Sequence, residues 1–178
     1  MGNNNSMDNN FEEISRKVLT LCLLKKGERV LLGMKKRGFG SGRWNGFGGK
    51  VQEGETIEEG AIRELHEECG LVVNQLEKFG QLDFEFHDNR GHILEVHLYK
   101  VGEFQGKPVE SEEMLPRWFR ISKIPFARMW PDDKFWFPLF LEDKKFLGNF
   151  LFGEQDSILE HKLIEVDSFD AGGSLDDL

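Results

Sequence analysis

One segment, GKVQEGETIEEGAIRELHEECGL from Gly49 to Leu71, constrains this chain more than any other. It carries seven glutamates, three of them within ELHEE. Thr56 with Glu59 three residues later is a capping-box pattern, and Gly70 supplies a stop, so the spacing predicts a helix from Thr56 to about Cys69. At about 100° per residue, Glu64, Glu67 and Glu68 share an arc of about 100° on that helix. Ala61, Ile62, Leu65 and Cys69 fall on the neighbouring arc, which would face a core. Gly60 lies within the carboxylate arc. It weakens a helix, so its presence suggests that something approaches the backbone closely there.

Like charges three and four residues apart repel. Arg63 reaches Glu67 but cannot satisfy the whole cluster. Charge clustering alone favours a solvated acidic face. A hard divalent cation is the alternative, because such ions take oxygen ligands and bridge carboxylates to phosphates. The preceding loop, KKRGFGSGRWNGFGGK, shifts the balance towards metal. It is not a P-loop, since Val51 follows Lys50 and Trp44 stands where the first glycine is required. Its glycines read as permitting close backbone approach to phosphate or metal. Lys35, Lys36, Arg37, Arg43 and Lys50 add local positive charge to a chain of formal net charge -9. That net charge gives no global field towards nucleic acid or an anionic membrane. The longest apolar runs, VLTLCLL and FWFPLFL, are too short to span a bilayer.

The 178 residues suffice for one domain with its own core. KVLTLCLL and RVLLGMKK around KKGE, and FGQLDFEFH and HILEVHLYKV around DNRG, read as two hairpins. Trp118–Ile121 reads as a short strand, Asp132–Asp143 as a helix kinked at Pro138, and FLGNFLF and HKLIEV as further strands. The order implies an α/β fold, an α/β/α sandwich around a mixed sheet. Residues 14–167 are expected to form the domain, with a disordered leader, 1–13, and tail, 168–178. Met7 stands as a second candidate start. The leader has neither an apolar signal region nor an arginine-rich transit pattern. Cys22 and Cys69 read as buried thiols in a reducing compartment. A cytoplasmic monomer is the expectation, with the mitochondrial matrix and nucleus left open.

Gly49-x5-Glu55-x7-Arg63-Glu64-Leu65-x-Glu67-Glu68-x-Gly70-Leu71 resembles the Nudix box at every fixed position. The resemblance implies a Nudix fold with a loop-helix-loop motif that hydrolyses a nucleoside diphosphate linked to another group. It further implies that Glu64, Glu67 and Glu68 ligate Mg²⁺, for which Mn²⁺ could substitute, beside the carbonyl of Gly48. Arg63 and Glu55 would brace them, and Glu64 or Glu68 would take a proton from the attacking water.

From about Arg16 to Val166, segments such as RVLLGMKKRGFG, PVES and MWPDD resemble the eukaryotic MutT-type branch of that family, which hydrolyses oxidised purine nucleoside triphosphates. The resemblance implies a small-molecule substrate, with no stable nucleic-acid partner and no membrane. Asn45, Asp132 and Asp133 would read the base edge. Thr20, Phe39, Phe84, Met114, Trp130 and Trp136 would wall the pocket, and Trp130 would stack on the base. Phe47, Gly48, Gly49, Lys50 and Pro131 join this substrate set, Lys35 would sit near the substrate, and Glu113 would be a further metal ligand. Two adjacent carboxyls in an aromatic pocket cannot both ionise cheaply, so one pKa should rise. Exchanging donor and acceptor roles would then let one pocket take both 8-oxo-guanine and 2-hydroxy-adenine.

Two departures from the branch pattern bear on fine base selectivity. The His87–His92 loop is one residue longer, and Leu115 and Arg117 are unusual near PVES. The competing expectations are a Nudix hydrolase of another nucleoside diphosphate derivative, and a non-catalytic binding module. The complete glutamate set argues against the second.

Overall fold

The computed structural model describes residues 14–169. The expected leader, 1–13, and the tail beyond Phe169 lie outside them. Eight strands and two helices follow one another as β1 (Ser15–Lys26), β2 (Arg29–Lys35), β3 (Trp44–Asn45), α1 (Ile57–Cys69), β4 (Leu76–Phe86), β5 (His92–Val101), β6 (Met114–Arg120), α2 (Asp133–Leu141), β7 (Phe146–Phe152) and β8 (Ile158–Glu165). The sheet order is β3-β2-β1-β5-β4-β7-β8, with β6 paired to β2. β1 runs parallel to β5 and β4 to β7, while the other pairings are antiparallel. The mixed sheet and both hairpins match the expectation.

Alternation along the strands builds a core on each face. On β1, Leu23 packs with Leu82, Val96, Leu98 and the α2 residues Trp136, Phe137 and Phe140. Its neighbours Cys22 and Leu24 pack with Leu31, Phe47, Tyr99 and the α1 residues Ala61, Leu65 and Cys69. Both cysteines are free and buried, as expected.

The β1–β2 hairpin opens with distance from its turn. β1 pairs with β2 only from Leu24 to Lys26. Residues 44–50 enter the gap, meeting β2 at Gly33–Asn45 and Met34–Trp44, and β1 at Cys22–Phe47 and Leu19–Lys50. This insertion carries the glycine-rich loop into the sheet and places Gly48 and Gly49 beside the start of the site.

The strand expected at Trp118–Ile121 is longer and earlier. β6 begins at Met114 and runs beside β2 from Lys35–Met114 to Arg29–Arg120, and Ile121 opens a 3-10 turn. Pro116 hides this strand in the sequence, yet an edge strand tolerates a residue without an N–H donor. Helix α2 is shorter than expected at both ends and retains Pro138 within it.

Candidate active site

Helix α1 forms as its sequence requires. The Thr56 hydroxyl accepts the Glu59 N–H at 3.1 Å, the Glu59 carboxylate accepts the Thr56 N–H at 2.7 Å, and Gly70 closes the helix at φ 74°. A cap of this kind contributes about 1 kcal/mol. Arg63 is the hub of the exposed face. It donates to Glu55 at 2.6 and 3.0 Å, to Glu64 at 2.7 Å, to Glu67 at 3.4 Å and to the Lys50 carbonyl at 3.1 Å. These bonds draw the Glu55 carboxyl down to about 2, with Arg63 the largest cause. Gly60 also finds its reason here. A Cβ there would lie 2.9 Å from the Glu55 carboxylate, so the close approach is made by the bracing glutamate.

Glu68 is the buried member of the acidic set, 3% exposed. Its Oε2 accepts the Gly48 N–H at 3.0 Å and its Oε1 lies 3.9 Å from the Lys35 ammonium. Burial pushes its carboxyl up to about 7; Glu64 and Glu113 push the same way, against Gly48 and Lys35. Glycine is obligatory beside it. A Cβ on Gly48 would fall 1.8 Å from the Thr20 carbonyl oxygen, and one on Gly49 would meet the Glu64 carboxylate at 2.6 Å. These close approaches are made to the protein itself, while Gly38, Gly40 and Gly42 serve turns at positive φ.

Glu68 opens onto a cavity of about 840 Å³ that reaches from the Gly48–Lys50 segment to α2. This volume lies within the usual range for small-molecule sites. Lys35, Lys50 and Glu113 line the same end. Arg37 holds Glu113 at 2.8 and 2.5 Å and keeps its carboxyl below the ordinary value. Of the five basic residues, Lys36, Arg37 and Arg43 are engaged by Glu110, Glu113 and Asp156, and Lys35, Arg37 and Lys50 line the cavity.

At the other end lie Asn45, Trp130, Asp132, Asp133 and Trp136. Asp132 stands at the N-cap position of α2 but makes no capping bond. Its Oδ2 accepts the Trp136 indole N–H at 2.8 Å instead. Asp133 is 3% exposed, and its Oδ2 has no hydrogen-bond partner among the described residues. Burial raises both carboxyls, Asp132 to about 6 and Asp133 well above its ordinary value, the latter further raised by Asp132. A buried, unpartnered carboxyl oxygen is costly unless a ligand completes it.

Most of the residues singled out in the sequence converge. Thr20, Lys35, Phe39, Asn45, Gly48, Gly49, Lys50, Phe84, Met114, Trp130, Asp132, Asp133 and Trp136 all border the cavity. Phe39 does so from the rim, 68% exposed, with its ring 5.0 Å from that of Trp130. Phe47 is a correction: its side chain is fully buried in the α1 core, and its backbone bridges to Cys22. Pro131 also lies outside the lining, as the turn residue between Trp130 and Asp132. Glu64 and Glu67 are turned to Arg63, so Glu68 is the only helix glutamate among the lining residues. The sequence reading missed the aliphatic floor of Leu94, Val96 and Leu98, whose alternation on β5 was its signal. It also missed Asn89 and His92, which bring the longer loop to the rim. Leu115 and Arg117 do not line the cavity, and Arg117 lies over Phe119.

Among the described residues, no three His, Cys, Asp or Glu side chains converge tightly enough to hold a metal ion as they stand. The donor chemistry nevertheless fits a hard divalent cation. Glu64 and Glu113 are close enough to Glu68 to disfavour its charge. The carbonyls flanking Gly48 are engaged, Phe47's by the Cys22 N–H and Gly49's by the Thr20 N–H. Of the oxygen donors expected from the sequence, Glu64 and Glu67 are held by Arg63, Glu113 by Arg37 and Glu68 by the Gly48 N–H.

A loop-helix-loop carboxylate site set beside a mixed sheet defines a hydrolase of the Nudix class. Residues 15–140 match the NUDIX domain model, and the chain belongs to that family, whose hydrolases generally use divalent metal ions. It is 58% identical over 153 residues to the oxidized purine nucleoside triphosphate hydrolase of Mus musculus, covering 86% of this chain and 97% of that one. The protein of the same name from Danio rerio is 57% identical over 151 residues, covering 85% and 96%. Among solved structures, the MutT protein of Bacillus halodurans superposes with a TM-score of 0.73 at 28% identity, over 83% of this chain and 97% of that one.

Proposed function

We infer that the protein hydrolyses oxidised purine nucleoside triphosphates, releasing the monophosphate and pyrophosphate, with Mg²⁺ as its cation. The observation that carries the reading is the single cavity joining Glu68 to the Asp132–Asp133 pair. The relatives' names support the same substrate class. By removing oxidised precursors the reaction would keep mutagenic bases out of DNA. Such action fits a monomer in the cytoplasm, with mitochondria and nucleus as further sites.

The base end supplies recognition. A protonated Asp133 donates a hydrogen bond and an ionised Asp132 accepts one, while Asn45 offers either. Adjacent carboxyls can exchange these roles, which accommodates both 8-oxo-guanine and 2-hydroxy-adenine. Trp130 and Met114 provide apolar contact. Lys35 and Lys50 attract the phosphates into the end lined by Glu68 and Glu113. A bound Mg²⁺ would neutralise phosphate oxygens and lower the pKa of water. Glu68, held by the Gly48 N–H, is placed to accept a proton at the cavity wall.

Product analysis with 8-oxo-dGTP, 2-hydroxy-dATP, dGTP and ADP-ribose tests the reading. Pyrophosphate is expected from the two oxidised triphosphates in preference to dGTP. Hydrolysis of ADP-ribose alone would overturn the base assignment.

A further inference from the structure

We propose that Arg43, anchored by Asp156, is a positioning residue for base selection, holding the plane of Trp130 against the cavity. The inference rests on the base-pocket reading given above. The Arg43 guanidinium lies 4.0 Å from the centre of the Trp130 ring, and its Nη2 donates to Asp156 Oδ2 at 2.7 Å. Both partners of the ion pair are about two-thirds buried, at 28% and 32% side-chain exposure.

Each participant is itself fixed. The Arg43 carbonyl accepts the Lys35 N–H at 3.0 Å, and the Arg43 N–H reaches the Gly40 carbonyl at 3.2 Å. Asp156 comes from the β7–β8 connection, where Gln155 and Asp156 adopt φ of 54° and 57°. Non-glycine residues hold that conformation when their surroundings impose it. Here the Gly153 N–H donates to the Ser157 carbonyl at 2.7 Å, and the Ser157 hydroxyl to the Glu154 carbonyl at 2.8 Å. The turn therefore presents Asp156 to Arg43 in one geometry.

Trp130 transmits that geometry to the base-reading pair. Its carbonyl accepts the Asp133 N–H at 3.1 Å, so ring and carboxyls belong to one short turn. A Cβ on Gly40 would meet the indole nitrogen at 3.1 Å, which fits the loop carrying Arg43 closely to this ring. A planar guanidinium can stack and pair at once, whereas an ammonium supplies charge without the plane. The same cation lies within reach of both aspartates and opposes the rise of their carboxyl pKa values. Arg43 thus couples the glycine loop, the aromatic wall and the β7–β8 turn at the base end.

Steady-state kinetics on 8-oxo-dGTP and dGTP, with melting temperatures to confirm folding, tests the assignment. Arg43→Gln is expected to raise KM for 8-oxo-dGTP about tenfold with kcat within about twofold, and to narrow the preference over dGTP. Arg43→Lys should retain most of that KM defect. Asp156→Asn should raise KM about threefold alone and add nothing to Arg43→Gln, as expected for residues acting as a unit. If Arg43→Gln does not fold, the KM effect of Asp156→Asn decides. Unchanged KM values, an equal fall in kcat on both substrates, full rescue by lysine, or additive effects would each overturn the proposal. A wild-type protein inactive on 8-oxo-dGTP would instead defeat the underlying reading.

Discussion

The indole N–H of Trp136 donates to Oδ2 of Asp132 at 2.8 Å, across one turn of α2. The bond takes a side chain standing at a helix N-cap and commits it to the cavity. It also favours the ionised form of Asp132 against the burial that raises its carboxyl to about 6. Trp136→Phe removes the donor and keeps most of the ring volume. The kcat/KM for 8-oxo-dGTP should fall about tenfold, in line with loss of a hydrogen bond to a charged group. The pH at which it changes should move upward. A pH profile superimposable on the wild type would refute this role for Trp136.

Asp133 has a consequence for stability. Its folded pKa lies above the unfolded value, because of burial first and Asp132 second. Ionising it therefore costs folding free energy. That cost is absent below the ordinary carboxyl pKa and grows as pH rises towards the raised folded value. Asp133→Asn should remove the dependence and melt about 3 °C or more higher at pH 8, while losing base selection. A lower melting point than the wild type at pH 8 would count against the buried, unpartnered carboxyl.

Glu68→Gln preserves an oxygen for the Gly48 N–H and removes the charge. The variant should fold normally and lose at least about a thousandfold in kcat. Mg²⁺ should raise the melting temperature of the wild type, through binding to the folded state, and do so much less in the variant. EDTA should abolish hydrolysis. Equal thermal responses to Mg²⁺ would exclude Glu68 from the cation site.

Gly48→Ala tests the insertion between β1 and β2. The new Cβ would fall 1.8 Å from the Thr20 carbonyl oxygen, which lies in a buried stretch of β1 and cannot yield cheaply. The expected loss is about 3 kcal/mol or more, with activity lost as well. Gly102→Ala meets nothing within 4 Å and should be nearly neutral. Comparable melting temperatures for the two variants would show that the segment can move away.

How far the sequence anticipated this site depends on the range over which each signal acts. Helix α1 was legible because Thr56, Glu59 and Gly70 define its ends through neighbours a few residues away. The two hairpins were legible because apolar or alternating runs flank the turn sequences KKGE and DNRG. The cavity residues were named through a family resemblance, since nothing local in WPDD distinguishes a base reader from a helix cap. Phe47 was misplaced because a glycine-rich context says nothing about which sheet face a side chain takes. The insertion of residues 44–50 between β1 and β2 decides that, and it is a long-range event. Arg43 stood out only as one of several basic residues. Its partner Asp156 is 113 positions away, and no spacing rule connects them. The start of β6 was obscured by Pro116, whose tolerance depends on lying at a sheet edge.

The central claim is that one cavity couples a carboxylate site to a pair of buried aspartates that read the base. The most direct measurement is kcat/KM for 8-oxo-dGTP, 2-hydroxy-dATP and dGTP with the wild type, Asp132→Asn and Asp133→Asn. The account predicts a strong wild-type preference for both oxidised bases, and a different change in their ratio for each variant, with neither variant melting below the wild type at pH 8. Identical base preference in all three proteins would contradict it.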